Sequence, residues 1–268
     1  MPELPEVEFT RRQLQAWVVG QTLEDVQLGT HTLKTDESVC SSLLSLRGRR
    51  LSTIERRGKY LFLKFSGQWV CVHLAMTGKW IRAENQGGRA RFARFVLSFE
   101  HQRVVFLDTR KLGKLFLLPD SNWQDWAVKK GIGPDVYDDT LTAECLSRQF
   151  NSTRRSIKSV LLDQKVLCGA GNIYVCEALY LAGVSPIRPA CDLTVFEVQG
   201  VLDGLRQSMH ESLAREQGEE IEYLTEGKVN NPFMIYKRAG ELCSKCKQTI
   251  VRLTQQGRGT FYCPSCQN

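Results

Sequence analysis

The chain opens Met1-Pro2-Glu3-Leu4-Pro5-Glu6. Initiator Met is usually trimmed when a small residue follows it, and trimming would expose Pro2 as a free secondary amine. An α-amino group titrates near about 7.7–8.0, so an appreciable fraction is neutral and nucleophilic at neutral pH. A secondary amine that condenses with a sugar C1′ gives an iminium, cationic without any added proton, and such a covalent intermediate splits one hard step into two easier ones. Glu3 is placed to move protons beside that amine, with Glu6 close by. Taken alone, the start has a plainer reading: Met-Pro is permissive, and carboxylates suit the positive end of a helix dipole.

The second chemical signal lies at the other end. Cys243-Ser-Lys-Cys246 is followed, after sixteen residues, by Cys263-Pro-Ser-Cys266. Two CxxC pairs at this spacing form a zinc signature. Four thiolates complete a tetrahedral shell with no open position for a reactive water, so one structural Zn2+ that folds the tail is expected rather than a catalytic one. Between the pairs, Thr249–Thr254 and Gly259–Tyr262 read as two strands of a hairpin turning at Gln255-Gln-Gly-Arg258. A basic tip on such a hairpin can enter a nucleic-acid groove; a solvated tip on a protein-binding ribbon has the same sequence.

These ends need elements to hold them. Pro5–Val19 reads as a helix with an apolar stripe at Val7, Leu14, Trp17 and Val18, ended by Gly20; Pro5 fits its first turn, where a missing N–H costs nothing. A buried helix there would pin the reactive terminus. Seven short runs with β character follow: 22–28, 49–56, 60–65, 69–74, 92–99, 103–107 and 114–118. They predict a sandwich or barrel. Pro119–Asp139, polar and carrying Gly131 and Gly133-Pro134, reads as a connection. The period then turns helical at 140–150, 157–162, 172–182 and 195–216. The last of these enters through Thr194 and Glu197 as a capping box with Leu193 and Val198 as a staple, and its stripe is Val198, Val201, Leu202, Leu205, Met209 and Leu213.

Composition bounds the partners. A chain of 268 residues with 42% hydrophobic content supports two domains, or two with a small module. The net charge is +7, and residues 237–268 hold six basic residues against Glu241 alone, which suits a polyanionic partner. No apolar run reaches transmembrane length, and no signal peptide opens the chain; a cytoplasmic, nucleoid-associated protein is expected. Ten cysteines in such a protein argue for metal and free thiols, with Cys40, Cys71, Cys145, Cys168, Cys176 and Cys191 as small core or near-surface residues.

Met1-Pro-Glu-Leu-Pro-Glu-Val-Glu8 resembles the start of the formamidopyrimidine-DNA glycosylases, base-excision repair enzymes related to endonuclease VIII, whose own branch usually has Gly in place of Leu4. The similarity runs through most of the chain. It implies an α+β multidomain fold: an N-terminal helix plus β-sandwich (1–119), a helical helix–two-turn–helix domain (134–226) and a C-terminal zinc ribbon hairpin (237–268). It implies a monomer acting on double-stranded DNA with damaged bases or abasic sites, bound in the cleft between domains. Pro2, Glu3 and Glu6 would then be catalytic. By the same resemblance Arg258 binds phosphate and assists strand cleavage, and Lys59 in Arg56-Arg-Gly-Lys59-Tyr60 approaches the phosphate flanking the lesion. Gly169-Ala-Gly-Asn172-Ile-Tyr174 resembles the family's helix–two-turn–helix element, in which Asn172 and turn amides hold the DNA backbone. His73-Leu-Ala-Met76-Thr-Gly78 and Asp108-Thr-Arg110-Lys-Leu112-Gly113 resemble two loops that fill the hole left by an extruded nucleotide, with Met76 and Leu112 as wedges and Arg110 facing the orphaned base. Arg91 and Arg154 complete the implied DNA-contacting set. The metal ligands are Cys243, Cys246, Cys263 and Cys266.

Two departures stand out. Leu112 replaces a common Phe, keeping an apolar wedge but losing stacking area. Gly227–Tyr236 is several residues shorter than the lid that closes over 8-oxoguanine in the family's purine-specific members, which predicts excision of ring-opened purines or hydantoins above 8-oxoguanine. The competing functions are a non-catalytic DNA-binding protein on the same scaffold and an RNA-binding zinc-ribbon protein.

Overall fold

The computed structural model describes residues 2–29, 42–85, 91–118, 122–216, 218 and 231–268. They fall into two compact units, one built mainly from the chain up to Lys130, the other from Gly131–Arg215 with the C-terminal segment through Asn268.

The first unit begins with helix α1, Leu4–Val18. Glu3 is its N-cap, and the Glu3 N–H donates to Glu6 Oε2 at 2.7 Å in a capping-box arrangement, so the first turn satisfies its own orphan donors. Gly20, at φ +89, turns the chain away after the helix, the left-handed stop that glycine accepts without a Cβ clash. Two four-stranded antiparallel sheets follow. One has the order β1-β6-β7-β5 (Leu23–Leu28, Ala93–Phe99, Arg103–Leu107, Lys79–Arg82). The other has the order β2-β3-β4-β8 (Leu51–Arg57, Tyr60–Phe65, Gln68–His73, Lys114–Leu118). Apolar residues of both sheets, among them Val26, Phe95, Leu97, Phe106, Ile54, Leu63 and Val72, form one core with Val7, Leu14 and Val18 of α1. The predicted sandwich is therefore observed, and the helix that begins at the chemical terminus is packed into it.

Two elements escaped the sequence reading. β5 was not predicted, because Lys79, Trp80 and Ile81 are all buried and show no alternation. The stretch read as a connection contains helix α2, Trp123–Lys129. Trp123 stacks on Phe62 at 4.5 Å, and Trp126 meets Tyr60 and Phe62 at 5.9 Å, so this polar-looking segment belongs to the first unit's core.

The second unit holds α3 (Ala143–Phe150), α4 (Ile157–Leu161), α5 (Asn172–Ala182), α6 (Val195–Arg215) and the hairpin β9–β10 (Val251–Gln255, Arg258–Tyr262). α6 starts as predicted: Glu197 N–H donates to Thr194 Oγ1, while the Thr194 N–H donates to Glu197 Oε2. Its six-residue stripe is buried throughout. The hairpin turns on Gln256 and Gly257, both at positive φ, as a tight two-residue turn requires. Among the described residues no helix is long and apolar enough to cross a membrane. Cys71, Cys168 and Cys176 are buried, and Cys145 and Cys191 are half-buried; Cys40 lies outside the described residues.

Candidate active site and nucleic-acid-contacting residues

Pro2, Glu3 and Glu6 are all buried, Glu3 to 1% exposure, at the start of α1. Their position follows from packing, since Leu4 and Val7, both 0% exposed, anchor the first turn. The next turn carries Glu8, which accepts from Arg11 at 2.9 Å, Arg12 at 2.9 Å and Arg56 at 3.1 Å. Burial pushes the Glu8 carboxyl up, but hydrogen bonds from Arg11 and Arg12 and the charges of Arg11 and Arg56 outweigh it and hold the group at about 2. Arg56 also donates to the Gly58 carbonyl at 3.1 Å. One guanidinium thus ties the candidate catalytic helix to the turn that presents Lys59.

Lys59 is half-buried where β3 begins. Beside it, His73 packs on Tyr60 at 4.6 Å, and its Nδ1 accepts the Ala75 N–H at 3.1 Å. Burial, then the charges of Lys59 and Lys114, lower the His73 imidazole to about 4, so it is neutral at physiological pH.

The two loops implied to act as wedges are joined. Asp108, 0% exposed, sits at their centre. Its Oδ1 accepts the Thr77 hydroxyl from one loop and the Arg110 N–H, at 3.1 Å, from the other; its Oδ2 accepts the Gly113 N–H at 2.7 Å. The Arg94 guanidinium, 2% exposed, donates to the Asp108 carbonyl at 2.7 Å. A Cβ on Gly78 would lie 2.4 Å from the Leu74 carbonyl oxygen and 2.8 Å from the Phe106 ring, so only glycine closes the first loop. Each loop also holds a non-glycine residue in the left-handed region, Ala75 at φ 55 and Lys111 at φ 58, strain of the kind that gathers at functional loops. The structure therefore brings Met76, Arg110 and Leu112 onto one clamped pair of turns, with Met76 and Leu112 half-buried and Arg110 exposed. Arg91 is exposed, its guanidinium 4.7 Å from the Phe92 ring.

In the second unit Asn172 opens α5, and its side-chain amide donates to the Gly259 carbonyl at 2.9 Å. Lys158, 0% exposed on α4, donates to Thr260 Oγ1 at 2.7 Å and to the same Gly259 carbonyl at 3.3 Å. Both hold the hairpin one residue from the exposed Arg258. Arg154 is exposed before α4. Neither Lys158 nor Asp108 stands out in the sequence; their partners lie far along the chain or in a turn whose shape only the fold defines. Glu177, 2% exposed, was passed over too. It accepts the N–H groups of Met234, Ile235 and Tyr236 at 2.8–2.9 Å, and burial outweighs these bonds and raises its carboxyl. Of the short lid, residues 227–230 lie outside the described residues.

The sulfur atoms of Cys243, Cys246, Cys263 and Cys266 all lie within 4.8 Å of one another, with Cys243–Cys266 at 3.8 Å and Cys246–Cys263 at 3.4 Å. Zinc–sulfur bonds of about 2.3 Å in a tetrahedron put sulfurs about 3.8 Å apart, so the quartet fits zinc.

Three family models divide the chain between them: the formamidopyrimidine-DNA glycosylase N-terminal domain over residues 1–115, its H2TH domain over 132–222, and the zinc finger found in FPG and IleRS over 240–268. The chain belongs to the formamidopyrimidine-DNA glycosylase family. Among its relatives, the formamidopyrimidine-DNA glycosylase of Chloroflexus aurantiacus is 34% identical over 100% of this chain and 98% of that protein. That of Bacillus cereus (strain ATCC 14579) is 32% identical over 100% and 99%. Solved structures of the family also align along the full chain. Lactococcus lactis Fpg in complex with abasic-site DNA aligns over all of both chains with a TM-score of 0.88 at 26% identity. MutM in complex with carbocyclic 8-oxo-G DNA does so with a TM-score of 0.88 at 29% identity. The chain covers 98% and 99% of the Chloroflexus aurantiacus and Bacillus cereus relatives, and its zinc-finger match contains the four clustered cysteines.

Proposed function

We propose that this protein is a base-excision repair DNA glycosylase that also cleaves the resulting abasic site. The observation that carries the reading is the buried Pro2-Glu3 start of α1, its Glu3 N–H bonded to Glu6, in a chain matched end to end by the family. With Met1 removed, the Pro2 nitrogen attacks C1′ of a damaged nucleotide. The C1′–base bond breaks, and the base leaves with its electron pair and a proton. Glu3 moves protons during base loss and sugar-ring opening, and Glu6, holding the Glu3 N–H, fixes the turn. The iminium acidifies C2′; loss of that proton expels the 3′ phosphate, and a second elimination expels the 5′ phosphate. Lys59 and Arg258 hold those phosphates, and Asn172, Arg91 and Arg154 fix the DNA backbone. Met76, Leu112 and Arg110, on the turns clamped by Asp108, occupy the space of the extruded nucleotide. One zinc ion folds the ribbon; its four sulfur ligands leave the chemistry to the protein's own side chains.

The enzyme works as a monomer on cytoplasmic, nucleoid DNA. The sequence of the short lid supports a preference for ring-opened purines and hydantoins, which stack and pair poorly and cost less to extrude. Single-turnover excision of 8-oxoguanine, formamidopyrimidine, hydantoins and oxidised pyrimidines, each opposite all four bases, tests it. Formamidopyrimidine or hydantoin rates above the 8-oxoguanine rate are expected. Fastest removal of 8-oxoguanine opposite cytosine contradicts the substrate preference, and no removal of any base with no abasic-site cleavage contradicts the function.

A further inference from the structure

One of the side chains packed against the four cysteines is a fully buried phenol. Tyr180, near the end of α5, is 0% exposed and shares a cluster with Cys176, Ile235, Cys243, Ile250, Phe261 and Cys263. Its hydroxyl lies 3.2 Å from Cys243 Sγ and 3.0 Å from Ser244 Oγ. The ring is held on a second side by Lys245, whose ammonium sits 4.5 Å from the ring centroid and donates to the Tyr180 carbonyl at 3.0 Å. Ring packing alone would be served by phenylalanine, so the oxygen has a separate use.

We propose that the Tyr180 hydroxyl donates a hydrogen bond to the Cys243 thiolate, making Tyr180 a positioning residue for the zinc site that fastens the first CxxC knuckle to α5 and slows loss of the metal. The proposal rests on the zinc reading of the quartet. A phenol has one proton and Ser244 can supply another. A metal-bound thiolate is charged and can only accept, and a charge-assisted bond is the stronger choice, so the Tyr180 proton points at sulfur while the Ser244 hydroxyl donates to the phenol oxygen. Such a bond draws electron density from the sulfur and fixes its lone pairs, which orients the ligand before the metal binds. Loss of outer partners of this kind weakens metal binding about 10- to 100-fold in other sites. The same helix presents Asn172 at its start, bonded to the hairpin beside Arg258, so one rigid rod fixes both the metal knuckle and the basic tip.

Tyr180→Phe in the full-length protein tests this, since it removes one oxygen and keeps the ring. Three quantities are compared with the parent: zinc content, the rate of zinc transfer to a chromophoric chelator, and the thiolate-to-metal absorption band of the cobalt-substituted protein. The variant should hold stoichiometric zinc, release it about tenfold faster, and show the cobalt band at longer wavelength, a signature that loosened packing would not produce. An unchanged release rate with an unmoved band overturns the proposal. Parent protein that binds neither zinc nor cobalt overturns the zinc reading itself. If Tyr180→Phe does not fold, Ser244→Ala at the exposed end of the relay decides: release accelerated about two- to threefold supports the relay, because linked hydrogen bonds strengthen one another, and an unchanged rate overturns it.

Discussion

The two ends of this chain carry its candidate chemistry and are held by different forces. Pro2 and Glu3 are fixed by burial, because α1 drives its apolar stripe into the sandwich and its first turn caps itself. Arg258 sits at the exposed tip of a hairpin whose core is small. It is held by the four clustered cysteines at the hairpin's base and by Lys158 and Asn172, which reach the Gly259 carbonyl from α4 and α5. A group that forms a covalent bond needs tenths-of-an-ångström placement, which a core supplies. A group that meets a phosphate needs reach and charge, which a metal-stapled ribbon supplies with few residues.

The sharpest way to break this comparison is to remove the metal. Cys243→Ser should abolish zinc binding and unfold the ribbon, whose folding draws on about 10 kcal/mol of metal binding. The first unit should keep its cooperative transition. Elemental analysis and limited proteolysis read both halves, and a ribbon that stays protected without zinc would mean that its core suffices.

The converse experiment strikes the first unit alone. Asp108→Ala leaves the buried Gly113 N–H without its acceptor and takes a partner from the less buried Arg110 N–H and Thr77 hydroxyl, at a cost of about 3 kcal/mol in all. Urea unfolding should register that loss, zinc content should not change, and an unaltered midpoint would mean the two turns hold themselves.

Acid acts more gently than either substitution. His73 has a folded pKa of about 4, below its ordinary 6.5. The unfolded chain therefore takes up the proton first, and stability falls as pH drops from about 6.5 towards 4, by roughly 3 kcal/mol in full. Glu8, at about 2, adds a second loss as pH falls below its ordinary 4.5. His73→Gln should flatten the first slope and leave the second. A urea midpoint independent of pH between 7 and 4 in the parent contradicts the assignment.

The smallest effect belongs to Arg258→Ala. The residue is exposed, so stability should not move. DNA affinity should fall alike for every sequence by about 1 kcal/mol, with a salt slope lower by about 0.9 for one lost phosphate contact. A change in opposite-base preference would mean that Arg258 reads bases.

These differences also mark what a sequence discloses. The α1 stripe, the strand at Tyr60–Phe65, the α6 capping box and the cysteine quartet were legible because each is a local pattern. Helix α2 was not, because its stability comes from Trp123 and Trp126 meeting Phe62 and Tyr60 some sixty residues earlier. Asp108 reads as a surface turn residue until the fold buries it among donors from two loops. Tyr180 reads as part of an apolar helix until Cys243, 63 positions on, arrives at its hydroxyl. The residues in the motifs were visible; the polar groups that hold them were not, because burial and long-range pairing leave no local pattern.

The proposed chemistry turns on the Pro2 amine. Borohydride added to the protein on abasic-site DNA should yield a covalent adduct whose mass maps to the N-terminal peptide at Pro2. Protein retaining Met1, which has no free amine at Pro2, should bind the same DNA and give no adduct there. A borohydride-stable adduct of equal yield from the blocked protein, or an adduct mapping to a lysine, would contradict it.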